Sequence, residues 1–186
     1  MLTFIMRHGN TEWNAHGKVQ GQTDIPLNDL GRKQARGNAE LLRAFPEFAS
    51  LKDELEILAS PLGRARDSAA IVAEALGFPL SSVRYDKRLM EFGYGLWEGL
   101  TQDEIRQRFP REFEARMASP WETRVPEGES LGEVRERFMS CLDSLTRPTL
   151  VVSHGGAIRC FFAVRGYIPE DAPLLGVIPQ DTAAWR

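Results

Sequence analysis

The chain has 186 residues, enough for one domain burying roughly 70% of the unfolded surface. With 42% hydrophobic and 26% charged residues it has the make-up of a soluble globular protein, and its formal net charge of −3 lacks the basic excess of a nucleic-acid binder. No run approaches the ~18 continuous apolar residues of a membrane span, and Met1 leads straight into an apolar strand rather than a charged leader, so a cytoplasmic location is expected.

Leu2–Met6 is a short, wholly apolar run ending abruptly at Arg7-His8-Gly9, which predicts a fully buried strand followed by a loop. From Asn28 a helix is expected, capped by Asn28 or Asp29, with Leu30, Ala35, Ala39, Leu42 and Phe45 on its inner face up to Pro46. A second strand follows at Glu56–Ser60. The Ser60-Pro61 pair then suggests a helix opening, a hydroxyl cap before a proline, with Ala65, Ala69, Val72 and Leu76 inward and Gly77 as the stop. Ser82–Asp86 is a third candidate strand.

The glycine-bearing loop KRLMEFGYGLWEG comes next. Thr101–Glu104 and Ser130–Glu133 fit capping boxes. Between them runs a polar helical stretch broken by Pro110, Pro120 and Pro126, which reads as an insertion. From Leu131 a helix carries Val134, Phe138, Cys141, Leu142 and Leu145 on one stripe. Thr149–Ser153 is a further buried strand, and a helix ending at Gly166 follows it. Cys141 and Cys160, the two cysteines, sit in apolar helical patterns and are expected as buried reduced thiols. Strands that are continuously apolar and alternate with helices predict an α/β fold, a three-layer α/β/α sandwich around a mostly parallel central sheet.

Three strand ends share a pattern. Leu2–Met6 ends at Arg7-His8, Glu56–Ser60 ends shortly before Arg64, and Thr149–Ser153 ends at His154-Gly155-Gly156. Parallel α/β sheets bind ligands beyond the carboxyl ends of their strands, so neighbouring strands would unite Arg7, His8, Arg64 and His154 in one cationic pocket. Phosphate suits such a pocket, because guanidinium forks match its oxygens and helix N-termini offer it N–H groups. Asn14 and Gln20 could add neutral donors, and Gly21 and Gly155 would allow close backbone approach. His16 has no comparable position. A metal site is not expected, since no His-x₃-His pair occurs and no carboxylate flanks either histidine. Nor does the glycine spacing match a P-loop or a dinucleotide fingerprint.

The blocks RHGNTEWN…GQTDIPLNDLGRKQA, SPLGRARDSA, MEFGYGLWEG, PEGES and SHGG occur in the order found in the histidine phosphatase superfamily, the phosphoglycerate-mutase-like proteins. The chain resembles that family from about Leu2 to beyond Gly156. The resemblance implies a single domain over 1–186 with an inserted helical lid at about 101–129. It implies that His8 accepts the phosphoryl group, that Arg7, Arg64 and His154 grip it, and that Glu91 donates the proton. Asn14, Gln20, Gly21 and Gly155 would be further contacts.

The expected activity is metal-independent hydrolysis of small phosphomonoesters through a phosphohistidine, with no cofactor. Phosphoryl transfer between hydroxyls, as in a phosphoglycerate mutase, is the alternative, and a catalytically silent binding module a more distant one. The mutases this chain resembles are longer and carry extra segments over the site. His8 would be held in one tautomer by a backbone carbonyl on Nδ1, and Met90 and Phe92 would partly desolvate Glu91. Arg7, Arg64 and His154 would supply the positive charge. Glu98 reads as a structural hydrogen-bonder. In 101–129 acidic and basic residues interleave, so no second phosphate clamp stands out. Phe109, Phe113, Met117 and Trp121 would pack that stretch onto the body or meet the leaving group. Thr182–Arg186 could form much of a closing edge strand, and the oligomeric state stays open.

Overall fold

The computed structural model describes residues 2–167 and Gln180. Four strands, β1 (Thr3–Arg7), β2 (Glu56–Ala59), β3 (Val83–Tyr85) and β4 (Thr149–Ser153), form a parallel sheet in the order β1-β4-β2-β3. The described helices are α1 (Glu12–Ala15), α2 (Asp29–Arg43), α3 (Phe48–Leu51), α4 (Gly63–Leu76), α5 (Gln102–Arg108), α6 (Pro110–Ala118), α7 (Leu131–Asp143) and α8 (Gly155–Val164).

Side chains alternate across a strand, and here the alternation sorts into two cores. Ile5, Leu58 and Val151, aligned in register, pack with Phe138 of α7 and Ile158 of α8. Phe4, Met6, Ile57, Leu150 and Val152 face the other way, onto Ala39 and Leu42 of α2 and Ala65 and Val72 of α4. The sheet is therefore covered on both faces, which is the expected α/β architecture and explains why its strands read as unbroken apolar runs.

Both capping boxes form, with Thr101 and Ser130 each accepting from the N3 backbone and Glu104 and Glu133 reaching back. Gly77 ends α4 in the left-handed conformation, at φ +80°. Cys141 and Cys160 are buried free thiols, and burial pushes both up to about 12.

Two local expectations need correction. Leu30 is 54% exposed. The inner face of α2 runs through Gly31, Ala35, Asn38, Ala39 and Leu42, and Leu30 lies one residue, about 100°, off that stripe. The helix after β2 starts at Gly63 with Leu62 as its N-cap, not at Ser60-Pro61. Ser60 instead prolongs the strand, donating its N–H to the Val152 carbonyl at 3.0 Å. The edge strand considered for Thr182–Arg186 lies outside the described residues.

The contrast between core and cap can be measured by urea unfolding. Phe138→Ala, emptying a fully buried ring site between α7 and the sheet, should cost about 3–5 kcal/mol. Ser130→Ala, which removes one capping acceptor, should cost about 1 kcal/mol.

Candidate active site

Strand β4 lies between β1 and β2, and its register brings three strand ends level: Arg7 faces Ser153, and Ala59 faces Val152. The ladder continues past the strands, since His8 N–H donates to the Ser153 carbonyl at 2.9 Å. His8, Ser60 and His154 are thus neighbours by main-chain geometry. The imidazoles of His8 and His154 lie with ring centroids 5.0 Å apart, both buried.

His8 Nδ1 is 2.7 Å from the Gly9 carbonyl. A carbonyl only accepts, so Nδ1 carries the hydrogen and Nε2 keeps its lone pair. Burial, then Arg64 and Arg7, push the His8 pKa well below 6.5, so the ring is neutral. The loop bearing it is fixed at Gly9, whose N–H donates to Ser68 Oγ at 3.0 Å while that hydroxyl donates to the Arg64 carbonyl at 2.8 Å. A Cβ at Gly9 would stand 2.1 Å from the Gly31 carbonyl oxygen, so the loop and α2 meet backbone to backbone.

Arg64, fully buried on the first turn of α4, donates from Nη2 to the Gly21 carbonyl at 2.6 Å and from Nη1 to the Thr23 carbonyl at 2.8 Å. Its Nε has no hydrogen-bond partner among the described residues. Glu98 fixes that carbonyl-bearing loop, accepting from the N–H groups of Gln22 (2.8 Å) and Thr23 (3.0 Å) and from the Thr23 hydroxyl. It is the structural hydrogen-bonder the sequence suggests. Arg7 lies against Gly155, where a Cβ would sit 3.2 Å from Nε.

His154 corrects an expectation. Burial, then Arg64 and His8, hold its pKa well below 6.5, so it brings an N–H group rather than a positive charge. Its Nε2 meets Ser60 Oγ at 2.7 Å, and Nδ1 is buried with no hydrogen-bond partner among the described residues. Glu91 is likewise set differently from the expected apolar surround. Its carboxylate takes N–H groups from Phe92 (2.9 Å) and Ala157 (3.1 Å) on Oε1 and from Gly156 (3.1 Å) on Oε2, at the start of α8. Arg137 clamps its backbone, donating to the carbonyls of Met90 (2.6 Å) and Glu91 (2.9 Å) while pairing with Glu129 at 2.8 Å.

Arg7, His8, Asn14, Gln20, Gly21, Arg64, Glu91 and Gly155 all line one cavity of about 420 Å³, with His154 packed against His8 rather than on the wall. Asn14 Oδ1 accepts from Thr11 Oγ (3.2 Å) and Gln180 Nε2 (3.1 Å), and its Nδ2 has no acceptor among the described residues. Gln20 is buried, and its Oε1 has no hydrogen-bond partner among the described residues. His16 is exposed, bonded to its own helix.

Sequence reasoning missed Ser60, Ser68, Tyr94, Arg116, Arg137 and Arg159. Of these, Tyr94, Arg116 and Arg159 also line the cavity. Phe109, Phe113 and Trp121 pack onto the core, and Phe113 and Met117 face the cavity as well.

Residues 3–183 match the family model described as histidine phosphatase superfamily (branch 1). A protein of Yersinia pestis (strain Pestoides F) named "probable phosphoglycerate mutase GpmB" is 34% identical over 178 residues, covering 92% of this chain and 78% of that one. The solved structure of a mycobacterial glucosyl-3-phosphoglycerate phosphatase in complex with VO3 superposes with a TM-score of 0.79 at 31% identity, over 97% of this chain and 88% of that one. The alpha-ribazole phosphatase of Shigella flexneri shares the fold, with a TM-score of 0.80 at 23% identity over 98% and 88%.

The neutral histidine pair has a measurable consequence. Near pH 6.5 the unfolded chain binds protons at both positions that the folded chain refuses. Folding stability should therefore be complete above about 6.5 and fall below it, by up to about 1.4 kcal/mol per pH unit for each histidine. Urea unfolding between about pH 7 and 5 checks this. A His8→Asn/His154→Asn double variant should lose about 2.7 kcal/mol per pH unit of that slope.

Proposed function

The chain belongs to the histidine phosphatase superfamily, and from that premise we propose a metal-independent phosphatase that hydrolyses small phosphomonoesters through a phosphohistidine on His8. The observation that carries this reading is the hydrogen bond from His8 Nδ1 to the Gly9 carbonyl, because it fixes the tautomer with a nucleophilic Nε2 facing a cationic cavity.

In the first step Nε2 attacks phosphorus, the N–P bond forms and the ester P–O bond breaks. Positive charge growing on the ring is met by the Gly9 carbonyl. Arg7 and Arg64 hold the equatorial oxygens, where a single donor is typically worth about 3–4 kcal/mol. Leu62 N–H already donates to Ser60 Oγ at 3.3 Å, so that hydroxyl is free to donate to His154 Nε2. The His154 proton then sits on Nδ1, a buried N–H with no acceptor among the described residues, which a phosphoryl oxygen would supply.

Glu91 gives the departing oxygen its proton. Oε1 already accepts two backbone N–H groups and Oε2 one, so Oε2 is the oxygen with room for the proton. In the second step the Glu91 carboxylate takes a proton from water, which attacks phosphorus and releases inorganic phosphate and free His8. Asn14, Gln20, Gly21 and Gly155 complete the phosphate cradle. Residues 1–186 form one domain in this reading, with 101–129 as a helical lid; α5 and α6 supplying Ile105, Phe113 and Arg116 to the cavity wall supports it. The two buried free thiols suit a reducing, cytoplasmic compartment.

The likeness to a protein named as a phosphoglycerate mutase supports a second reading, in which the phosphoryl group passes to another hydroxyl rather than to water. Inorganic phosphate release measured against interconversion of 3- and 2-phosphoglycerate separates the two.

Acid quenching with a ³²P-labelled substrate should leave acid-labile label on His8 and none in His8→Ala. Failure to find label at residue 8 overturns the mechanism. Glu91→Gln should lower kcat/KM about 100-fold or more on an alkyl phosphate, whose leaving group needs a proton. The loss should be far smaller on 4-nitrophenyl phosphate; equal losses would remove Glu91 from proton delivery.

A further inference from the structure

An asparagine side chain carries an acceptor oxygen at one end and an N–H donor group at the other, and its partners decide which end faces a ligand. Asn14 lines the cavity, and its Oδ1 is held by the Thr11 hydroxyl (3.2 Å) and by Gln180 Nε2 (3.1 Å). The hydroxyl does not decide the matter. Thr11 Oγ also accepts the Asn14 backbone N–H at 3.2 Å, and a hydroxyl rotates to donate or accept as its neighbour requires. Gln180, 166 positions further along the chain, is the partner with a fixed polarity.

That polarity is imposed elsewhere. Asn28 caps α2, and its Oδ1 accepts the Gly31 backbone N–H at 2.9 Å. A backbone N–H only donates, so the Asn28 amide has one permitted orientation. Its Nδ2 donates to Asn10 Oδ1 at 2.9 Å, Asn10 Nδ2 donates to Gln180 Oε1 at 3.1 Å, and Gln180 Nε2 donates to Asn14 Oδ1. Reversing any one amide would set two oxygens or two N–H groups against each other. Other bonds keep the members in place without setting their direction. Gln34 Oε1 accepts the Asn10 backbone N–H at 2.8 Å, and the fully buried Asn38 donates from Nδ2 to the Gln180 carbonyl at 2.9 Å. The direction fixed at the start of α2 thus passes through Asn28, Asn10 and Gln180 to the cavity wall at Asn14.

We propose that Gln180 is a positioning residue for the phosphate site. As the last link of a one-way relay of amides, it holds Asn14 with Oδ1 turned aside and Nδ2 presented to the phosphoryl group. An amide reversed at Asn14 would set a carbonyl oxygen against an anion, so the relay separates a binding group from a repelling one without moving any backbone. This rests on the phosphatase reading for the reaction, but the binding of inorganic phosphate tests it without turnover.

The test is a double-mutant cycle on the full chain, read as the Kd of inorganic phosphate by phosphorus NMR titration at about pH 7.5, where a glutamate is ionised. Gln180→Glu keeps an acceptor for Asn10 but offers Asn14 only oxygen, so it should reverse the Asn14 amide and weaken phosphate binding about tenfold or more. In an Asn14→Ala background the same change should cost about twofold or less, because no amide is left to turn. Gln180→Met, of similar length and without charge, should cost about fivefold in the unaltered protein and about twofold or less beside Asn14→Ala. It decides the question if Gln180→Glu fails to fold. Equal losses in the two backgrounds overturn the relay, leaving long-range charge or general destabilisation as the cause. Absence of any loss in the Gln180 variants overturns it too, as does an Asn14→Ala variant that binds phosphate as tightly as the unaltered protein. Inorganic phosphate release from esters is scored separately: a chain that hydrolyses nothing but shows the coupling keeps the relay and loses the phosphatase reading.

Discussion

The position of β4 between β1 and β2 is the constraint on which the site depends. Parallel strands in register carry their carboxyl ends to the same edge, so residues 7–8, 60 and 153–154 become neighbours although up to 147 positions separate them. The hydrogen bonds that do this are main-chain bonds and do not depend on the side chains they deliver. Two arginines and two imidazoles are thereby gathered where no polar cluster would assemble by attraction. Like charges repel, and the sheet holds them together regardless.

That enforced crowding sets the chemistry. Both imidazoles are buried beside guanidinium groups, and each cause pushes them toward the neutral form. A neutral ring next to fixed cations suits an electron-pair donor facing an anion. The acidic residues near the site hold backbone in place rather than neutralise it. Glu98 gathers the 22–23 amides, and Glu129 pairs with Arg137 to grip the segment that carries Glu91. The net positive field at the cavity therefore survives in an acidic protein.

The sequence made much of this visible because the informative signals were local. Apolar runs with abrupt polar ends marked β1, β2 and β4, and Arg7, His8, Arg64 and His154 lie where strand ends and a helix start put them; Glu91, in the segment between β3 and α5, was marked only by the family resemblance. Both capping boxes were legible from four residues each. What failed to show depended on partners distant in the chain. Ser60 looks like a helix cap until His154, 94 residues later, is placed beside it. Arg116 sits in a stretch of interleaved charge and stands out only when its burial is known. Leu30 was misassigned because a glycine, Gly31, occupies the inner position that an apolar side chain would otherwise advertise.

The Arg137–Glu129 pair has a mechanical meaning. Glu129 closes the 101–129 stretch, and the guanidinium it holds is also bonded to the carbonyls of Arg88, Met90 and Glu91. A tug on one side of this knot is felt on the other. The inserted helices and the segment that carries Glu91 are thus tied through one cluster of hydrogen bonds, so the two cannot shift independently without breaking it.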